Sequence, residues 1–121
     1  MAQVAAITAL HEGEAFIREA LERYTSARDL AVRRLKQIAG AVVPTPRGAF
    51  YLFFRLPGSS DSIAFCRQLL EDSGVVLAPG AAFGRGGEGW VRLCFATQLE
   101  QLDEALERVA DFVAGQSNDR S

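Results

Sequence analysis

Lysine is almost missing from this 121-residue chain, with Lys36 alone set against twelve arginines. Several enzyme chemistries need a lysine amine as nucleophile, and Lys36 does not suit them. It lies among Arg33, Arg34 and Gln37 on a polar helical face, where an amine stays protonated. Histidine is equally scarce: His11 stands alone, which excludes a histidine-based metal cluster or a Ser–His–Asp triad within the chain. The two cysteines, Cys66 and Cys94, lack the paired spacing of a zinc site. Both sit among apolar residues and are expected to be small buried hydrophobes in a reducing compartment rather than a disulfide. No metal site is expected.

Long apolar runs are also lacking. The first apolar stretch, Val4 to Leu10, has no Lys or Arg before it and is too short to span a bilayer. The cytoplasm is the expected location. A formal net charge of −2 leaves no excess of basic charge for nucleic acid or anionic lipid. There is no internal repeat and no low-complexity segment.

What is present suits a folded domain: 49% of the residues are hydrophobic and 23% charged. A chain of this length buries roughly two-thirds of the surface it exposes when unfolded. Residues 3 to 39 have helical character, with Phe16, Ile17, Ala20, Leu21 and Tyr24, then Ala31, Leu35 and Ile38, recurring at helical spacing. His11-Glu12-Gly13 is expected to divide a short first helix from a long second one, which Gly40 caps before Pro44 and Pro46. Ala49 to Leu56 reads as a strand apolar on both faces, so each face needs a cover. Ser59, Ser60 or Asp61 can cap a helix carrying Ile63, Cys66, Leu69 and Leu70, which Ser73-Gly74 ends.

Val75 to Ala78 reads as a short strand closed by Pro79-Gly80, and Trp90 to Ala96 as another. Thr97 and Glu100 match a capping box opening a last helix, with Leu99, Leu102, Leu106, Val109 and Val113 as its buried stripe. Gly115 is expected to end it. The fold class is α+β: a small mixed sheet of about three strands, helices mainly on one face, and a long N-terminal helix. Residues 1–39 form the helical segment, 40–115 the domain proper and 116–121 a disordered tail. Such a layer does not cover both faces of the Phe50 to Phe54 strand, so the chain reads as part of something larger.

Two motifs bear on function. Gly84-x-Gly86-x-x-Gly89 has the spacing of a dinucleotide fingerprint, but that fingerprint needs a helix behind it, and these glycines lead into the Trp90 strand. A tightly turned loop is the better reading. Arg92 is a charge in the middle of an apolar strand, on the face opposite Val91, Leu93 and Phe95. Small neighbours, Cys94 and Ala96, leave room beside a guanidinium that could grip a carboxylate through two parallel hydrogen bonds. The other reading of Arg92 is a solvated charge guarding an edge strand.

Taken in order, Pro46-x-Gly48-Ala49-Phe50-Tyr51, Gly74-Val75 with Pro79-Gly80-x-x-Phe83-Gly84, and Trp90-Val91-Arg92-Leu93-x-Phe95-Ala96 resemble one family. They are similar to the C-terminal small domain of class I/II pyridoxal-phosphate aminotransferases, of the aspartate aminotransferase type, from about Gln3 to Val113. The resemblance implies that Arg92 binds the α-carboxylate of the amino or 2-oxo acid substrate. It implies a large cofactor-binding domain as partner, reached through the helix Gly13 to Ala39, and a homodimeric complete enzyme. Phe83, with Tyr51 and Phe53, would line or support the site, or pack in the core. The family's Schiff-base lysine, pyridine-nitrogen aspartate and phosphate-binding residues would precede this chain. Pyridoxal 5'-phosphate is thus expected in the complete enzyme and not on this chain, which carries no catalytic residue and is expected to be inactive alone. A second reading is a stand-alone amino-acid-binding or oligomerisation module.

Overall fold

Alternation along two short strands sets the layering. In the computed structural model, which describes residues 2–45 and 50–120 (side chains of 13–45 and 50–116), β1 is Tyr51–Phe54, β2 is Ala78–Pro79 and β3 is Val91–Cys94. The sheet order is β1-β3-β2, and both pairings are antiparallel. The expected mixed sheet is therefore corrected: its connections never return a strand parallel to its neighbour. Register places Leu52 opposite Leu93 and Phe54 opposite Val91, and all four are buried. Their partners across the pleat, Tyr51 opposite Cys94 and Phe53 opposite Arg92, share the other face.

Three helices cover the inner face. The first, α1, runs unbroken from Ala2 to Lys36. The expected division at His11-Glu12-Gly13 does not occur, since one glycine costs a helix only about 1 kcal/mol. Among its described side chains, Ala27, Ala31 and Leu35 are fully buried, whereas Phe16, Ile17 and Leu21 are exposed. Among its described side chains, 13–36, those that meet the core begin at Tyr24. Gly40 falls in the turn after the helix, at φ +83°, rather than directly at its end. Next, α2 (Ser62–Ser73) begins with Asp61 accepting the Ala64 N–H at 3.1 Å. It ends at Gly74, whose φ of 74° lets its N–H reach the Leu70 carbonyl. Ser62, Phe65, Cys66 and Leu69 are its buried residues; Ile63 and Leu70, expected inside, are outside.

The last helix, α3 (Leu99–Arg120), buries Leu102, Leu106, Val109 and Val113. Leu99 is exposed, and the helix continues through Gly115 to Arg120, correcting the expected stop. Thr97 does not form the expected reciprocal cap; its hydroxyl donates to Gln101 Oε1 at 3.0 Å. An Arg34–Asp103 ion pair at 2.7 Å ties α1 to α3. The anchor of the fold is apolar burial, each fully buried Leu or Phe contributing about 1.5–3 kcal/mol. None of the described helices is long and apolar enough to cross a membrane.

Candidate functional site

Among the described residues, no α-helix covers the sheet's outer face. Tyr51, Phe53 and Phe83 are each 40–47% exposed there, and Cys94 is exposed beside them. Cys94 was expected inside; the pleat puts it on the Arg92 side, and only Cys66 is buried. Burial raises the Cys66 thiol to about 11.

Arg92 lies on β3, the middle strand, so the reading of an edge-guarding charge fails. Phe53 and Ala78 are its neighbours across the two pairings. The space beside the guanidinium is not left open by small residues, as the sequence suggested. Its central carbon stands 4.2 Å from the Tyr51 ring centroid and 4.2 Å from that of Phe83. Phe83 in turn meets Phe53 edge-to-face at 5.6 Å. Ring faces attract the cation but do not take up its in-plane N–H donors. Among the described residues, no carboxylate lies within ion-pair distance of Arg92.

Phe83 is delivered by the loop between β2 and β3, which holds two short 3-10 turns, Gly80–Phe83 and Arg85–Gly87. The loop folds back on itself where Gly80 meets Gly87; a side chain on either would collide with the other's carbonyl oxygen. Gly80 N–H donates to the Trp90 carbonyl at 2.7 Å, closing the loop at its base. The glycine spacing therefore serves a compact turn, as expected, and Gly89 leads into β3 rather than a helix.

Two residues that sequence reasoning did not single out fasten this loop to α2. Glu88 Oε1 accepts the N–H of Ser62 at 2.8 Å and of Gly89 at 3.0 Å. Ser62 Oγ accepts the N–H of Ala81 at 3.2 Å. The Ser62 N–H, then its hydroxyl, then the Gly89 N–H hold the Glu88 carboxyl below the usual glutamate range. Buried Ser59 adds a third tie, its hydroxyl lying 2.8 Å from both the Leu56 and Gly89 carbonyl oxygens. The available signal was an acid between glycines, Gly87-Glu88-Gly89, which a solvated loop also produces.

Clefts elsewhere offer little chemistry. One of about 350 Å³ between the end of α1, Pro57 and α3 is walled by alkyl groups, and its Arg34 is already paired with Asp103. Among the described residues no cluster of His, Cys, Asp and Glu could hold a metal ion. Nor does a pyridoxal phosphate fit them. Lys36 is exposed at the end of α1, whose Leu35 packs in the core on the sheet's inner side, away from the Arg92 face. The Pro46-x-Gly48-Ala49 part of the first motif lies outside the described residues.

Comparison with known proteins gives a consistent result. The family model described as aminotransferase class I and II matches residues 1–109. An aspartate aminotransferase of Pyrococcus horikoshii is 41% identical over 117 residues, covering 94% of this chain and 30% of that protein. An LL-diaminopimelate aminotransferase of Natranaerobius thermophilus is 36% identical, covering 91% of this chain and 28% of that protein. Among solved structures, an aromatic aminotransferase from Pyrococcus horikoshii superimposes with a TM-score of 0.81 at 33% identity, over 88% of this chain and 28% of its own. An aminotransferase from Mycobacterium tuberculosis gives 0.81 at 36% identity, over 93% and 30%. The chain thus spans somewhat under a third of the length of these relatives.

Proposed function

This chain belongs to the class I and II aminotransferase family, and we propose that it supplies the substrate-binding arginine, Arg92, to an enzyme that moves amino groups between amino acids and 2-oxo acids. The observation that carries the reading is the state of the guanidinium. It sits on a rigid middle strand, packs against two aromatic rings and, among the described residues, meets no carboxylate of its own. Each charge-assisted hydrogen bond to a bound carboxylate contributes roughly 1.5–3 kcal/mol net. Two parallel bonds also fix the orientation of the substrate's α-carbon, which lowers the entropic part of the barrier.

Pyridoxal phosphate, the family's cofactor, supplies an electron sink for the substrate carbanion when bound. The residues described here do not fit it, so the proposal places it on a large domain that packs over the open sheet face. Tyr51, Phe53 and Phe83 are the apolar surface such a domain would cover. We place the complete enzyme in the cytoplasm as a homodimer.

Replacing Arg92 by Leu in the complete enzyme tests the reading. Transition-state binding should weaken by about 2–5 kcal/mol toward both amino and 2-oxo acids, the scale for unpairing a buried charge. Kinetics unchanged by the substitution would remove Arg92 from this role.

A further inference from the structure

The loop before β3 brings Phe83 against Arg92, and Glu88 and Ser62 tie that loop to α2 through hydrogen bonds. We propose that Glu88 and Ser62 are positioning residues for Arg92: together they fasten the Gly80–Gly89 loop to the first turn of α2, so that the Phe83 ring is held against the guanidinium. The inference deepens the reading of Arg92 as the carboxylate-binding group and rests on it for its functional consequence.

The connection can be followed atom by atom. The Ser62 N–H belongs to the first residue of α2 and has no carbonyl partner within the helix. Glu88 Oε1 accepts it at 2.8 Å, and the same oxygen accepts the Gly89 N–H at 3.0 Å, joining the helix end to the root of β3. The negative charge lies at the positive end of the α2 dipole, a second reason for the carboxylate to stay there. Ser62 is wholly buried, and its hydroxyl accepts the Ala81 N–H, so the same residue grips the loop at its other end. Ala81 and Phe83 share one 3-10 turn, so fixing Ala81 holds the backbone that carries the ring. Glu88 itself is exposed and touches neither Arg92 nor Phe83 by any hydrogen bond or ring contact among those described. Its effect is exerted through the loop.

The alternative role for Glu88 is stability alone, and the two roles differ in what moves when it is removed. The readout is the Arg92 Nε–Hε resonance of this chain in proton–nitrogen correlation spectra, assigned by its loss in Arg92→Leu. Two rings at 4.2 Å impose a ring-current shift on it. Phe83→Ala sets the value expected when the loop contributes nothing. Glu88→Ala should carry the resonance most of the way to that value, while the methyl signals of buried Leu52 and Val91 stay in place. Glu88→Gln should restore most of the native shift, because an amide oxygen still accepts both N–H groups. Should Glu88→Ala fail to fold, Ser62→Ala, which removes the Ala81 acceptor and the hydroxyl's bond to Glu88 but keeps the Ser62 N–H, makes the same test. An Arg92 resonance unmoved by these substitutions, in a chain whose core signals are intact, overturns the proposal.

Titration with 2-oxoglutarate separates this inference from the one beneath it. Native chain should show the Arg92 resonance shifting with weak affinity, and Glu88→Ala should weaken that affinity by about fivefold, the scale of one lost cation–π contact. If 2-oxoglutarate leaves Arg92 unmoved in the native chain, the carboxylate reading fails, while the ring-current comparison still decides whether Glu88 positions the side chain.

Discussion

The Arg92 guanidinium carbon stands 4.2 Å from the centre of the Phe83 ring, although the two residues belong to different structural elements. The contact narrows the freedom of a flexible cation, because the strand holds its base and two rings lie against its head. Three- and four-carbon side chains lose considerable rotamer entropy on binding, and an arginine already ordered loses less.

Phe83→Ala should therefore weaken carboxylate binding with almost no loss of stability. The ring is nearly half exposed, so little burial is lost, and one cation–π contact is worth about 0.5–2 kcal/mol. Phe83→Tyr should behave as the native residue. Urea unfolding measures the first part and steady-state KM in the complete enzyme the second. A fall in unfolding midpoint without a change in KM would make Phe83 a packing residue only.

Glycine positions in the loop should respond very differently to one methyl group. Gly80→Ala drives a Cβ into the Gly87 and Trp90 carbonyls, and backbone cannot yield as a side chain can. A loss of about 1–3 kcal/mol or more is expected, on the scale of overpacking. Gly86 has open space around its Cα, and Gly86→Ala should be neutral or slightly stabilising, by about 0.4–1 kcal/mol through the unfolded state. Equal effects at the two sites would contradict the close approach of Gly80 and Gly87.

The two thiols should separate cleanly in reactivity. Cys94 is exposed and Cys66 buried, so an aromatic disulfide reagent should label one thiol rapidly in native chain and the second only on unfolding. Cys66 also fixes a pH limit. Its folded value of about 11 lies above its ordinary 9.0, so the thiol's contribution is complete below 9 and is lost as pH rises from 9 toward 11, where only the unfolded chain ionises readily. Cys66→Ala should lessen that alkaline loss when stability is followed from pH 8 to 11.

Glu88 should leave the opposite signature. Its carboxyl is held low, so its contribution is present above the ordinary glutamate range and disappears as pH falls through the lower, folded value. Asp61 caps the same helix end, and Arg55 and Arg85 are the nearby cations, beside Gly89 and within the loop. Comparing Glu88→Gln with native chain should show a difference at neutral pH that vanishes in acid. The fluorescence of Trp90, two residues along, supplies a local probe. A difference independent of pH would show that the carboxylate charge is not what holds the helix end.

Much of the architecture was legible because local chemistry and tertiary packing agree. Ser73-Gly74 stops α2 through a left-handed glycine, and the alternation Val91, Leu93, Phe95 sets the inner face of β3. Legibility failed where two local readings were equally good. The apolar stripe at Phe16, Ile17 and Leu21 has the period of a core face yet is exposed, since periodicity states which residues share a face and not what meets it. Val75 to Ala78 has strand composition, but pairing is restricted to Ala78–Pro79, where β3 presents free backbone groups.

At the site, the sequence by itself determined that Arg92 would face away from the core, because a pleated strand alternates its side chains and Val91 and Leu93 claim the interior. It could not determine what the guanidinium would meet. Tyr51 arrives from a strand forty residues earlier, Phe83 from a loop, and Glu88 finds its partner on a helix through hydrogen bonds between segments distant in the chain. Those contacts depend on antiparallel register and on two glycines meeting back to back, which only the packed chain decides. Side-chain direction is a local property of the backbone; side-chain company is a property of the whole fold.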